Sequence, residues 1–234
     1  MSKQFSWNSA DSWIPLLRRL KEPRPSRTVV EDAILAVYDC ALVYHGCRPL
    51  RVQPYYRHGL LVADNKAIDK RARRLFSGST FPEITDEIFQ RAIQRIPESA
   101  NGRAHVVLDD SGFLETSGHY LIYGTERVIA IAANLSGELG RDYRTVLRSR
   151  GKPTIFRLSL PLDHVSESDV SEFAEAVRRQ LSSMRRGKNA PPIDFTFTLR
   201  RSLGPETILD HYHPVEITDP LMGFVKYHYP NDRK

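Results

Sequence analysis

The order of the predicted elements indicates an α+β fold, in which a mixed or antiparallel sheet is flanked by helices. Helical patterns over 28–39, 64–76 and 85–96 precede most of the strand-like runs. This order favours α+β over a doubly wound sheet, which would alternate strand and helix throughout. The 234 residues are enough to bury a full core. We therefore expect an N-terminal arm over 1–27 and a single domain over 28–234.

Composition and charge are those of a soluble globular protein with phosphate-bearing partners. Hydrophobic residues make up 41% and charged residues 26% of the chain, and the net charge is +6. No apolar run approaches the roughly 20 residues that a membrane helix needs. The two cysteines, Cys40 and Cys47, are too few for a disulfide framework. With no signal-peptide pattern at the N-terminus, we expect a cytoplasmic protein without membrane association.

Local signals place the individual elements. Thr28-Val29-Val30-Glu31 is a capping box that opens the first long helix, and the apolar run Ala41 to His45 follows as a strand. Asp109-Asp110-Ser111-Gly112 is predicted as a turn, from which Phe113-Leu114 begins a returning strand. The remaining predictions are helices over 52–57, 125–135 and 166–184, and strands over 104–108, 119–123, 154–160, 193–199 and 224–229.

The stretch around His45-Gly46 is suited to holding a nucleotide. A glycine beside a strand histidine leaves its N–H and C=O accessible, because no Cβ blocks a close approach. Paired main-chain groups of this kind can bind a carboxamide, and the imidazole can hydrogen-bond a ribose hydroxyl. Arg48 can meet a phosphate. Neither G-x-G-x-x-G nor a Walker-type sequence occurs in the chain.

His45-Gly46-Cys47-Arg48, with Gly59-Leu60 beginning fourteen residues after His45, resembles the first motif of ADP-ribosyltransferases (59 − 45 = 14). The resemblance is to the branch with a His-Tyr-Glu triad, which contains poly(ADP-ribose) polymerases and diphtheria toxin. It implies a split sheet of the ADP-ribosyltransferase type and NAD as substrate. By this resemblance His45 and Gly46 would hold the nicotinamide ribose and carboxamide.

A second stretch, Gly118-His119-Tyr120 followed by the small-residue run Thr125 to Ala133, is similar to the family's second motif. In the family this motif is a Gly-x-Tyr strand that leads into a helix. The resemblance implies that Tyr120 stacks on the nicotinamide ring, with Tyr123 as a second candidate.

The family's third motif is a glutamate on a late strand, which supports the oxocarbenium-like transition state as nicotinamide leaves. Glu206 is our first choice for this residue, and Glu216 is the second. A rival alignment makes 204–208 a loop and brings Asp194 or Thr196 to the position of the acid, in which case the triad is altered or lost.

These observations predict an NAD-dependent ADP-ribosyltransferase, a bacterial toxin or defence-type effector, with a nucleic-acid or protein acceptor and an inhibitory partner protein as further expectations. Two alternatives stay open. The first is a non-catalytic nucleic-acid-binding protein, for which the basic surface supplies phosphate contacts. The second is a metal-dependent nuclease centred on His211 and His213, with Asp210, Asp219 and His228 nearby. The basic residues of the first alternative are Arg71, Arg73, Arg74, Arg178, Arg179, Arg185 and Arg186.

Overall fold

The computed structural model describes residues 3–78, 80–97, 101–186, 193 and 195–230. Within this part of the chain ten helices and eight strands form a mixed α and β structure. The helices are α1 Ala10–Arg19, α2 Arg27–Val37, α3 Gln53–His58, α4 Asn65–Leu75, α5 Asp86–Gln94, α6 Asp110–Thr116, α7 His119–Tyr123, α8 Glu126–Leu139, α9 Arg144–Arg148 and α10 Glu167–Arg185. The strands are β1 Gln4–Phe5, β2 Cys40–Cys47, β3 Ala104–Val107, β4 Thr154–Pro161, β5 Thr196–Leu199, β6 Ile208–Tyr212, β7 Glu216–Asp219 and β8 Val225–His228.

The main sheet has the strand order β5-β3-β2-β4-β6, and each neighbouring pair in it is antiparallel. The short strand β1 adds a parallel pairing with β2. Along its whole length β2 pairs with β4, from Cys40 opposite Pro161 to Cys47 opposite Thr154. Strands β7 and β8 form a separate hairpin. The antiparallel sheet and flanking helices agree with the predicted α+β class.

Two hydrophobic layers cover the two faces of the sheet, because side chains of a strand alternate between faces. Ala41 and Val43 of β2 point into a first layer, which includes residues of α1, α2 and α10. Tyr44 points into a second layer formed with α4, α5, α7 and α8. The predicted N-terminal arm belongs to the first layer, since Phe5 and Trp13 are buried there.

Most predicted helices are present, and the side chains that cap them are visible. Asp64, Thr85 and Ser166 each accept a main-chain N–H at the start of α4, α5 and α10. The first long helix begins earlier than its capping box suggested. Ser26, and not Thr28, caps α2 by accepting the N–H of Val29 at 3.3 Å.

Two sequence predictions between β3 and α8 are wrong. The predicted turn and return strand at 109–114 is α6, whose N-terminus is capped by Asp109 through the N–H of Ser111 at 3.1 Å. The predicted strand His119–Tyr123 is the short helix α7. Three consecutive residues of α7 are buried: Leu121, Ile122 and Tyr123. Burial does not alternate as it would in a strand, so strand propensity alone was misleading there.

The sequence assigned no bounds to β6 and β7, although the third motif was expected on a late strand and Glu216, its second candidate, lies on β7. The pairing of β6 with β4 shifts between Arg157 and Leu158, where Leu209 is extra. This bulge breaks the alternation that marks a strand in sequence. In the described residues, each helix is too short or too polar to cross a bilayer.

Candidate functional site

The sheet divides beside His45. Strands β2 and β3 share one residue pair, Tyr44 opposite Val107. Beyond it, His45 Nδ1 lies 3.0 Å from the main-chain oxygen of His105. The imidazole therefore bonds to β3 at the point where the main chains of β2 and β3 cease to pair. We call this point, formed by His45, Gly46 and His105, the fork.

The surroundings of His45 define which nitrogen can bind a ligand. Burial lowers the pKa of His45, so the imidazole is neutral at pH 7. A carbonyl oxygen can only accept, so the proton of the neutral ring lies on Nδ1 and points at His105. Nε2 is then left as a hydrogen-bond acceptor, as a ribose hydroxyl requires.

Helix α3 covers the His45 side of the fork. The Tyr55 ring lies 6.4 Å from the His45 ring and stacks on Phe156 at 4.3 Å between centroids. Phe156 is opposite His45 on β4, and His211 is opposite Phe156 on β6. These three side chains make one row across the sheet, beneath the tyrosines of α3.

Gly46 presents bare backbone on the other face of the sheet. A Cβ on Gly46 would overlap the ring of Phe113 from α6. The Phe113 and Tyr120 rings are nearly parallel, with 6.3 Å between centroids and an interplanar angle of 15°. Phe113 therefore covers Gly46, and Tyr120 lies beside Phe113. His45 and Tyr120 lie on opposite sides of β2, because consecutive strand residues face opposite ways.

An acidic residue that sequence reasoning missed, Glu126, affects Tyr120. Burial raises the pKa of Tyr120, and the negative charge of Glu126 raises it further. Burial lowers the pKa of His105, an effect that Glu126 partly offsets. Glu126 is the first residue of α8, so its sequence context indicated a helix start and concealed its position near the fork.

The predicted acids do not join His45 and Tyr120. Glu206 is exposed, and its carboxylate folds over Gly204. Its segment does pack beside α3, because Leu60 and Leu203 pair through their main chains. Glu216 is exposed on β7 and forms an ion pair with Lys226 at 2.7 Å. The rival acid Asp194 lies outside the described residues, while Thr196 begins β5.

Two predicted ligand contacts have internal partners instead. The Arg48 side chain donates to three main-chain oxygens: those of Arg150 at 2.7 Å, Leu121 at 3.0 Å and Arg148 at 2.6 Å. It clamps β2 to α7 and α9, which corrects its predicted contact with a phosphate. Tyr123 is buried and donates its hydroxyl to Asp219 at 2.6 Å, so it is a core residue and not a second stacking ring.

The histidines proposed as metal ligands are tied to other groups. His211 Nδ1 bonds the Tyr56 hydroxyl at 2.7 Å, and His213 Nδ1 lies 2.8 Å from the Pro153 oxygen. A search of the described residues for three or more His, Cys, Asp or Glu side chains placed to hold a metal finds none. This part of the chain gives the nuclease alternative no support.

Most of the arginines assigned to nucleic-acid binding are engaged within the protein. Arg73 pairs with Asp86, and Arg178 and Arg179 both pair with Glu175. The α10 end is also engaged, since Arg185 donates to the main-chain oxygens of Leu20 and Glu22, and Arg186 donates to that of Ser182. Arg71 and Arg74 are exposed on α4. The set therefore does not form one free basic surface.

Comparison with protein-family models, with curated proteins and with solved structures finds no significant match. The chemistry of the fork is therefore argued from its own residues.

The lowered pKa values of four imidazoles predict a specific pH dependence of stability. Burial lowers the pKa of His45, His105, His119 and His211. Below the ordinary histidine pKa of about 6.5 the unfolded chain binds more protons than the folded one. The stabilisation is therefore complete above that value and is lost as the pH falls through the lowered values. The urea midpoint should be constant above about pH 7 and should decrease towards about pH 5.

A matched pair of variants isolates the contribution of the fork. His45→Gln should flatten part of this slope, whereas substitution of the exposed His164 by Gln should leave it unchanged. Equal slopes for the two variants would show that His45 is not held neutral by burial.

Proposed function

We propose that the chain is an NAD-dependent ADP-ribosyltransferase, in which the fork binds the nicotinamide riboside half of NAD. The observation that carries the proposal is the nearly parallel pair of Phe113 and Tyr120, in which the Phe113 ring covers Gly46. Two stacking contacts of about 3.5 Å require about 7 Å between flanking rings. The 6.3 Å between the Phe113 and Tyr120 centroids lies within the range of ordinary offset aromatic pairs, so the two rings must move apart to admit a flat ring.

The carboxamide and ribose have partners on the same strand. Once the Phe113 ring moves aside, Gly46 allows close approach of the carboxamide to the main chain, and Nε2 of His45 can accept a hydrogen bond from a ribose hydroxyl. Because His45 and Gly46 face opposite sides of β2, one nucleoside must reach both across the edge of β2 that no longer pairs with β3. This use of His45, Gly46 and Tyr120 retains the roles that the family resemblance implies.

The reaction breaks the bond between the ribose C1′ and the nicotinamide nitrogen, and the electron pair leaves with nicotinamide. The acceptor then forms a bond to C1′ and releases a proton. A carboxylate near the ribose stabilises the positive charge that develops there. We assign this role to Glu126, the exposed first residue of α8, which directly follows the helix of Tyr120 and whose charge raises the pKa of Tyr120. Glu206, beside α3, is the alternative. The acceptor is a nucleic acid or a protein.

Incubation with NAD and chromatographic measurement of free nicotinamide test the proposal. Wild type should release nicotinamide, and His45→Ala should reduce the rate by about 10²-fold or more, as removal of an oriented polar group typically does. Glu126→Gln should cause a loss of similar size. Glu216→Gln, which removes an exposed hairpin carboxylate, is the matched control and should retain the rate.

The two Glu→Gln variants also distinguish Glu126 from Glu206 as the catalytic acid. A large loss in Glu206→Gln with full activity in Glu126→Gln would restore the first-choice acid and overturn our assignment of Glu126. Absence of nicotinamide release from wild type with every acceptor class tested, together with no NAD binding, would overturn the proposed function.

A further inference from the structure

Helix α3 has two chemically different faces. Tyr55 and Tyr56 point towards the sheet, where both pack on Phe156. At 100° per residue, Gln53, Pro54, Arg57 and His58 lie on the opposite side of the helix. This outer face is exposed and faces away from the fork. It is not used by the proposed transfer reaction.

The outer face and the preceding loop form a basic pocket. Its volume is about 450 Å³, and it is lined by Arg51, Gln53, Pro54, Arg57 and His58. Two guanidinium groups, an imidazole and a carboxamide can all donate hydrogen bonds into it. No carboxylate is among these lining residues. The pocket therefore has the donors that an anion requires and nothing that repels one.

The two guanidinium groups and the imidazole of this pocket have no partner within the described part of the chain. Arg51, Arg57 and His58 make none of the hydrogen bonds or ion pairs found among the described residues, whereas Arg157 pairs with Asp210 and Arg127 with Asp69. Charges of one sign that are held together without a partner attract anions from solution.

The main chain that carries the pocket is fixed by contacts on the inner side of α3. The stacked Tyr55 ring fixes the inner face of α3, and the N–H of Gly59 closes the helix on the oxygen of Tyr55 at 2.7 Å. Leu60 then pairs with Leu203 in both directions, at 3.0 and 2.9 Å. These contacts fix the main chain that carries Arg51, Gln53, Arg57 and His58, so binding need order only their side chains.

We infer that the pocket formed by Arg51, Gln53, Arg57 and His58 binds a phosphate group. Arginine binds phosphate through two parallel hydrogen bonds, and two guanidinium groups suit a doubly charged or bridged phosphate. The source is either the diphosphate of a nucleotide or the backbone of a nucleic acid. The inference does not depend on NAD chemistry at the fork.

Binding measurements on the full chain test this inference without an activity assay. Titration calorimetry with inorganic pyrophosphate reports a nucleotide-like phosphate, and fluorescence anisotropy with a labelled single-stranded oligonucleotide reports a backbone phosphate. The double variant Arg51→Gln/Arg57→Gln should weaken binding of at least one probe by about 10-fold or more, since it removes two charge-assisted contacts. Both residues are exposed, so the fold should be unaffected.

The matched control is Arg18→Gln/Arg19→Gln, which removes the same charge from the exposed end of α1. If the pocket is specific, this control should change the affinity for either probe by less than about 2-fold. Failure of wild type to bind either probe would overturn the inference. An equal loss in the two double variants would also overturn it, because binding would then follow net charge alone. Because neither probe contains nicotinamide, these results are independent of nicotinamide release.

Discussion

Gly59→Ala should destabilise the protein by about 4 kcal/mol or more, the largest effect expected from a single methyl group here. Gly59 has φ 76° and ψ −163°, a conformation that residues other than glycine avoid at a cost of about 1–3 kcal/mol. An added Cβ would also overlap the main chain of Leu203 and lie 2.7 Å from the carbonyl carbon of Gly204. Main chain cannot rotate away as a side chain can, so the pairing of Leu60 with Leu203 should break.

Gly124→Ala separates strain from overlap. Gly124 has a similar backbone conformation, with φ 101° and ψ −151°, but a Cβ there would meet nothing within 4 Å. It should cost about 1–3 kcal/mol from strain alone. Urea unfolding followed by tryptophan fluorescence gives both values. Equal destabilisation by the two variants would mean that Gly59 does not pack against 203–204 as described.

Arg48→Met should cost about 2–4 kcal/mol of unfolding free energy, because three main-chain oxygens lose their donor together. The methionine retains part of the apolar stem, so the loss reports mainly the hydrogen bonds. Arg48→Lys should recover little of it, since one ammonium cannot reach three oxygens arranged around a planar guanidinium. The same unfolding measurement applies.

The exposed Arg18→Met is the matched control and should change stability by less than about 0.5 kcal/mol. One outcome would contradict this role of Arg48. If Arg48→Met retained full stability and instead weakened NAD binding, Arg48 would be the phosphate ligand that the sequence suggested, and the clamp between β2, α7 and α9 would be wrong.

The parts of the fold with strong periodicity were predictable from sequence. Helices α4, α5 and α10 carry capping residues and apolar stripes, and the alternating run in β4 gave that strand directly. The strand predicted around Tyr120 was wrong because the residues beside it are strand-forming types. What determines the helix there includes the close approach of Gly118 to the main chain of Thr218, which is a tertiary contact. Sequence neighbours cannot reveal such a contact.

The candidate site was only partly predictable, because tertiary contacts again cannot be read from sequence neighbours. The strand carrying His45 and Gly46 has a local signature, but the partners of its side chains come from distant segments. Phe113 was predicted in a strand and reaches Gly46 from α6, and Glu126 was recognised as part of a helix start alone. Arg48 lies two residues after Gly46, as a phosphate ligand could, yet α7 and α9 supply its partners.

A structure of the protein determined with NAD bound tests the central claim most directly. We predict the nicotinamide ring between Phe113 and Tyr120, its carboxamide on the main chain of Gly46, and a ribose hydroxyl at Nε2 of His45. NAD bound away from the fork, or a fork that stays closed at saturating NAD, would contradict the proposed site.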